Sequence, residues 1–244
     1  MKNYFEREYY LRTADFDPGM NLLPTAILDL FQDVAGCHSI EMGCGLFDLI
    51  KINQAWVLVN AKYTILKKVK MFSKVRVKTW PLAPRGVRYQ REYVIYDEDG
   101  ERAVIGSQTW TVIDIVNRKI LLASNVYDGL NGIYLEEKSY AERLPRIPQT
   151  PVDNAVQSDI KIVASDLDIN AHVNNIRYAK FVYDVANLKE GEYIKELQID
   201  YHKEIKFGQT VSLNLGREDS AIHAVGKVGD AVNFTALATV ENPA

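Results

Sequence analysis

The sequence predicts an α+β fold in which one unit, a strand, a helix and four antiparallel strands, is used twice. Three observations lead there. Runs of alternating apolar and polar residues are joined by connections too short for parallel crossovers. Two segments carry apolar residues at helical spacing, one before each set of strands. Residues 15–35 also align without a gap to residues 166–186, at an offset of 151, with five identities: Asp15/Asp166, Asp17/Asp168, Asp33/Asp184, Val34/Val185 and Ala35/Ala186. Average composition would give about one.

The elements follow in order. Leu23, Ile27, Leu30, Phe31 and Val34 mark the first helix. Trp56 to Leu66, Lys74 to Trp80 and Arg88 to Tyr96 alternate as half-buried strands. Asp97-Glu98-Asp99-Gly100 is a turn into a long returning strand, Ala103 to Ile115, which Asn117-Arg118-Lys119 ends. Pro145, Pro148 and Pro151 mark a linker. In the second helix Ile176, Ala179, Tyr183 and Ala186 share one face. Tyr178, Phe181, Val182 and Val185 cover most of the rest, as in a buried helix. Ile194 to Tyr201, Thr210 to Gly216, Ala221 to Val228 and Val232 to Val240 are strands, with Gly229-Asp230 closing the last hairpin.

Composition sets the outer limits. The 244 residues are 47% apolar and 25% charged, which excludes a disordered, collagenous or disulfide-stapled chain. No stretch approaches the ~20 apolar residues of a membrane helix, and the N-terminus lacks the apolar core of a signal peptide, so a cytoplasmic protein is expected. Cys37 and Cys44 read as reduced packing thiols. Charge is uneven: residues 62–91 hold ten bases and no acid, while the rest of the chain holds 19 bases against 32 acids. Such a run suits an anionic partner, or else the solvent face of strands whose lysines blunt a sheet edge.

The copies differ where chemistry would sit. Asn170 and His172 of the second copy stand where the first has Gly19 and Asn21. The run from Asp166 to Asn175 places two carboxylates, an imidazole and three amides just before a helix N-terminus, whose free N–H groups favour developing negative charge. This set suits general-base attack of water on a carbonyl. The alternative is that Asn170 and His172 only help to cap the helix through Asn174 or Asn175. None of the nine serines lies in a G-x-S-x-G elbow, and no zinc-site spacing or Gly-rich phosphate loop occurs. His38 reads as a half-buried packing residue, and His202 and His223 lie in strands without a ligand-spaced partner. The chemistry is expected to use no metal and no cofactor.

The run Ser165-Asp166-Leu167-Asp168-Ile169-Asn170-Ala171-His172-Val173-Asn174-Asn175-Ile176-Arg177-Tyr178, with Glu196 to Glu204 beyond it, closely resembles the signature of acyl-acyl-carrier-protein thioesterases. The resemblance implies two tandem hotdog units, each an antiparallel sheet wrapped around a long central helix. It implies an N-terminal unit at 1–135 that binds the acyl chain and carries a degenerate site, a linker at 136–155, and a C-terminal catalytic unit at 156–244. Asp168, Asn170, His172 and Glu204 match the family's active-site positions. Plant members have a Cys after that Glu; here the residue is Ile205, so no thiol acts there. The chain opens at its first strand, as bacterial members do.

The implied reaction is hydrolysis of a fatty acyl thioester on the phosphopantetheine arm of acyl carrier protein (ACP). His172 and Glu204 are expected to hold and deprotonate water, and Asn170, with helix N-terminal amides, to bind the thioester oxygen. Asp168 orients the set or attacks directly; the residues are the same in both cases. Leu23, Ile27, Leu30 and Phe31 are expected to line the acyl chain, with Asn174 and Asn175 also at the substrate. Lys74, Arg76 and Lys78, which alternation puts on one face opposite Val75 and Val77, are expected to dock the acidic carrier. A monomer or a homodimer would serve. Three other readings share the scaffold: an acyl-CoA thioesterase, a non-catalytic acyl-thioester-binding module and a 3-hydroxyacyl thioester dehydratase.

Overall fold

The structure, a computed structural model, describes residues 2–123 and 134–242. The chain forms two units: one from Met1–Ala14 and Ile27–Arg143, the other from Asp15–Ala26 and Leu144–Ala244. The expected boundaries at 135 and 156 are contiguous, whereas the units interleave. Asp15–Ala26, the loop before the first helix together with that helix's first three residues, belongs with the second unit.

The first unit holds β1 (Phe5–Tyr10), α1 (Pro24–Glu41, from Ile27 on), α2 (Leu46–Ile50), β2 (Gln54–Ile65), β3 (Lys74–Pro81), β4 (Tyr89–Tyr96), β5 (Arg102–Asp114) and β6 (Lys119–Ile120). Its sheet runs β1-β3-β4-β5-β2, all antiparallel, with β6 folded back on the end of β5. The second unit holds β7 (Val156–Lys161), α3 (Asn175–Val185), β8 (Tyr193–Tyr201), β9 (Thr210–Glu218), β10 (Ala221–Val228) and β11 (Ala231–Glu241), with sheet order β7-β9-β10-β11-β8. Counted within each copy, both sheets have the same strand order and both are antiparallel. β1 and β7 start 151 residues apart, as do α1 and α3. This is the expected hotdog repeat, an α+β fold.

Local chemistry sets the helix ends. α1 opens on Pro24, whose fixed φ suits a first helical position; Leu23, expected within the helix, is the residue before it. Gly43 ends α1 with φ 69°, and the N–H groups of Gly43 and Cys44 return to the carbonyls of Ile40 and Ser39 at 3.0 and 2.9 Å. That pair of bonds is a Schellman closure. α3 is shorter than a long central helix, at 11 residues, and is capped by Asn174, whose Oδ1 accepts from Ile176 N–H at 3.0 Å.

Each sheet closes on its helix. Phe31 of α1 is fully buried and stacks on Tyr93 of β4 with ring centroids 4.3 Å apart. Gly106 of β5 makes room for it: a Cβ there would lie 2.2 Å from the Phe31 ring. Truncating such a residue to Ala costs about 3–5 kcal/mol. In the second unit Tyr178 of α3 packs edge-on against Tyr201 and Phe234 at 5.1 and 5.0 Å. The proline-marked linker is held to the sheets. Ser139 N–H donates to Glu92 at 2.7 Å and Trp80 Nε1 to Glu137 O at 2.8 Å in the first unit; Gln198 Nε2 donates to Pro145 O at 2.7 Å in the second. His223, on β10, lies 2.9 Å from Pro148 O through Nε2.

Candidate functional site

The loop before α3 is built from its own backbone. Leu167 and Val173 form an antiparallel bridge. Asp168 N–H donates to His172 O at 2.8 Å, and Ala171 N–H to Asp168 O at 3.0 Å. The turn needs Ala171 at φ 60°, a left-handed conformation that costs a non-glycine residue about 1–2 kcal/mol. The first copy folds the same way. Asp17 N–H donates to Asn21 O and Met20 N–H to Asp17 O, both at 2.9 Å, and Met20 has φ 59°. One turn thus presents different side chains in the two copies.

The segment after β8 meets this loop. Val173 N–H donates to Ile205 O at 2.8 Å, and His172 bridges Lys206. Asn233, buried in β11, clamps the same segment through its side-chain amide to Lys203 O and Glu204 O at 3.4 and 3.3 Å. The outcome is a close pair: His172 Nε2 lies 3.2 Å from Glu204 Oε2, with side chains 28% and 56% exposed. An ionised carboxylate only accepts, so a neutral His172 in this contact would donate from Nε2 and keep its lone pair on Nδ1. Water can reach both groups.

The other expected site residues take distinct places. Asp168 Oδ1 accepts from Asn170 N–H at 2.8 Å, so this carboxylate braces its own loop. The Asn170 side chain is exposed and makes no hydrogen bond among the described residues. Asn174 is the helix cap, so the capping role weighed for Asn170 and His172 belongs to Asn174 itself. The Asn175 carbonyl accepts from Tyr201 OH at 3.1 Å. In the first turn of α3, Ile176 N–H is taken by the Asn174 side chain and Arg177 N–H by the Asn174 carbonyl. Asn175 N–H has no acceptor among the described residues.

Two residues at this site were not read as site residues from the sequence, where Tyr178 stood only on a buried helix face. Tyr178 is buried, and its phenol is pushed well up, first by burial and then by the negative charges of Glu204 and Asp168. It lies one helical turn beyond Asn174 and Asn175, so the i+3/i+4 rule carried a signal for it. Asn233 had no signal, because its role depends on a β11 register known only from the fold. In the degenerate loop, Asp17 Oδ1 accepts from Asn21 N–H at 2.8 Å, and Tyr183 OH reaches Asp17 Oδ2 at 3.5 Å. There the carboxylate holds structure.

Of the expected acyl-lining residues, Ile27 and Phe31 are fully buried in packed core, while Leu23 and Leu30 keep partial exposure. Leu23 lies in the second unit and the other three in the first. The basic face alternates as expected, with Val75 and Val77 buried opposite Lys74, Arg76 and Lys78. Its charge is compensated from elsewhere in the chain. Lys74 pairs with Glu8 at 3.0 Å and Arg76 with Glu6 at 2.7 Å, both across the β1–β3 ladder, and Lys78 lies over the Tyr4 ring at 4.5 Å. His38, expected to be half-buried, is fully buried with Nδ1 3.0 Å from Arg91 Nη1. Burial, and then the Arg91 charge, lower its pKa to about 4. His202 pairs with Thr235 Oγ1 at 3.2 Å. Both cysteines are free, and burial pushes the Cys44 thiol up to about 11. Among the described residues no three His, Cys, Asp or Glu side chains gather as metal ligands, and no helix is long and apolar enough to cross a membrane.

Known proteins resemble this chain along its length. The chain is 23% identical over 214 residues to the chloroplastic palmitoyl-acyl carrier protein thioesterase of Arabidopsis thaliana, covering 83% of this chain and 51% of that protein. It is 24% identical over 251 residues to the chloroplastic oleoyl-acyl carrier protein thioesterase of Coriandrum sativum, covering 92% and 66%. The chain spans about half the length of the first of these relatives. Two solved structures share the fold with TM-scores of 0.87. They are an acyl-ACP thioesterase from Bacteroides thetaiotaomicron (22% identity, 98% of both chains) and the 12:0-ACP thioesterase from Umbellularia californica (16% identity, 100% of this chain and 99% of that one). Residues 2–130 match the acyl-ACP thioesterase N-terminal domain and residues 149–228 match its C-terminal domain. With both domains of that family matched in order along its length, the chain belongs to the acyl-ACP thioesterase family.

Proposed function

We propose that this chain hydrolyses the thioester between a fatty acyl chain and the phosphopantetheine arm of ACP, releasing free fatty acid and holo-carrier. The observation that carries the reading is the His172–Glu204 pair, 3.2 Å apart and open to water, on the one loop of the repeat that keeps an imidazole. His172, held by Glu204, takes a proton from water through Nδ1 as the water oxygen attacks the thioester carbon. The carbonyl oxygen gains negative charge, and Asn175 N–H at the positive end of α3 and the Asn170 amide supply donors for it. Collapse expels the carrier thiolate, which takes the proton from His172. Asp168 holds the loop that presents Asn170; direct attack by Asp168 would use the same residues. Leu23, Ile27, Leu30 and Phe31 are the proposed acyl-lining set. Docking of the acidic carrier is assigned to the Lys74, Arg76 and Lys78 face. The reading is of a cytoplasmic bacterial enzyme, monomer or homodimer, that needs no cofactor.

The test compares thiol release from one fatty acyl group presented on ACP and on coenzyme A, with the acid identified as product. The proposal expects free acid and a clear preference for the carrier. Efficient turnover of acyl-CoA without that preference would make this an acyl-CoA thioesterase. Tight binding without thiol release would make it an acyl-binding module.

A further inference from the structure

One end of the first unit presents large apolar side chains where turns face solvent. Phe47 on α2 is 73% exposed, and Ile50 at its end and Ile52 in the turn that follows are also exposed. That turn lies against another: Ile115 N–H donates to Asn53 O at 2.9 Å, and Gln54 pairs with Asp114 in the β2–β5 ladder. The second turn carries Ile115 and Val116, the latter 71% exposed, and leads into β6. Leu121 and Ala123 pack inward against the cluster of Met42, Cys44, Tyr89 and Val112, so alternation turns Ile120 and Leu122 outward, at 60% and 53% exposure. Backbone bonds thus bring together the two turns that carry these exposed side chains. Folded chains rarely leave apolar patches of such extent on a free surface.

Charge surrounds this patch. Lys51, Arg118 and Lys119 lie within the two turns. Ala123 N–H donates to Gly86 O at 2.8 Å, which brings the Arg85–Arg88 turn to its border. Arg85, Arg88 and Arg118 have no ion pair among the described residues. The nearby acids are engaged: Asp48 faces Lys51 at 3.7 Å and accepts from Gly45 N–H at 3.2 Å, and Asp114 accepts from the N–H groups of Val116 and Asn117 at 2.8 and 2.9 Å.

We propose that this end of the first unit binds the surface of an anionic phospholipid bilayer, with Phe47, Ile52, Val116, Ile120 and Leu122 entering the acyl boundary and Arg85, Arg88 and Arg118 meeting phosphate headgroups. Apolar groups carried on turns, and not lining a groove, suit a fluid apolar medium better than a shaped protein partner. A ring of cations around an apolar centre is the charge pattern of an interfacial anchor. The inference stands apart from the proposed catalysis.

The experiment is co-sedimentation of the intact chain with vesicles of phosphatidylglycerol and phosphatidylcholine in equal parts, beside vesicles of phosphatidylcholine alone. The chain should bind the anionic vesicles, and added salt should weaken but not abolish binding. The triple change Phe47→Ser, Val116→Ser and Ile120→Ser should lower partitioning about tenfold or more, since each removes several buried CH₂ equivalents. Arg85→Glu, Arg88→Glu and Arg118→Glu together should erase the preference for the anionic vesicles. These side chains lie at the surface, so circular dichroism and melting of the variants should match the parent. Absence of binding to either vesicle, or binding unchanged by the serine triple, overturns the proposal. So does concentration-dependent dimerisation lost in the serine triple without vesicle binding, which would assign the patch to a second copy of the chain. Capture by ACP alone, lost in the arginine triple, would assign it to the carrier.

Discussion

Two aspartates at equivalent places in the repeat do different work. Asp168 accepts one backbone bond from Asn170, whose side chain stays exposed. Asp17 holds Asn21 through its backbone and side chain and meets Tyr183. Asp17→Ala should therefore lower stability, by about 1–3 kcal/mol for its orphaned partners, while the folded fraction keeps most of its turnover. Asp168→Ala should instead lower turnover by orders of magnitude. Urea titration and steady-state rates on both variants check this, and equal rate losses at equal stability would show that both loops perform chemistry. At this scale the sequence was informative about residue types and less so about their bonds. His172 and Glu204 were named together and lie together. Asn174 was read as a substrate residue and caps a helix, because the N-terminus of α3 falls one residue later and needs that acceptor.

Among elements, α1 carries a test of its own. His38 is buried beside the Arg91 guanidinium, and its pKa falls from 6.5 to about 4. In the unfolded chain it titrates near 6.5, so between that pH and about 4 the unfolded state binds a proton that the folded state refuses. The neutral histidine therefore contributes stability fully above pH 6.5, and that stability is lost as pH falls toward 4, by roughly 2–3 kcal/mol. Denaturant midpoints at pH 7 and 4.5 should show this loss, and His38→Gln should show less of it; an identical pH response in the variant would remove His38 as the cause. β3 and β9 were legible because their period-2 alternation survives in the burial of each sheet, whereas β4 and β10 are buried over continuous runs and were legible from their apolar runs and bounding turns. β1, β7 and α2 are short elements whose burial patterns carry little period. The interleaving of Asp15–Ala26 with the second unit is a long-range packing outcome that local pattern does not encode.

For the whole molecule, the repeat was legible because the same offset of 151 recurs in sequence identities, in β1 against β7 and in α1 against α3. The electrostatics were less so. Ten bases in one segment suited either an anionic partner or the solvent face of edge strands, and Glu6 and Glu8 on β1 and Asp97 and Glu98 in the β4–β5 turn pair with Arg76, Lys74, Lys67 and Lys70. Exposed pairs of this kind contribute about 0–1 kcal/mol each and are exchanged easily, so a strongly acidic partner can still compete for them. Reversing Lys74, Arg76 and Lys78 to Glu should raise KM for acyl-ACP and leave kcat, and turnover of a short uncharged thioester, nearly unchanged. Added salt should act in the same direction, because the screening length falls from about 10 Å at 0.1 M to about 3 Å at 1 M. Carrier-dependent turnover that ignores both changes would make this face a self-neutralised sheet edge.

The central claim is that the His172–Glu204 pair activates water against a carrier-bound acyl thioester. Its most direct test is the single-turnover rate of thiol release from acyl-ACP by His172→Ala beside the parent chain, at saturating enzyme so that docking drops out. Removal of a general base should slow the step about 10²–10⁴-fold while folding and carrier binding persist. A folded His172→Ala protein that releases thiol at the parent rate would contradict the account.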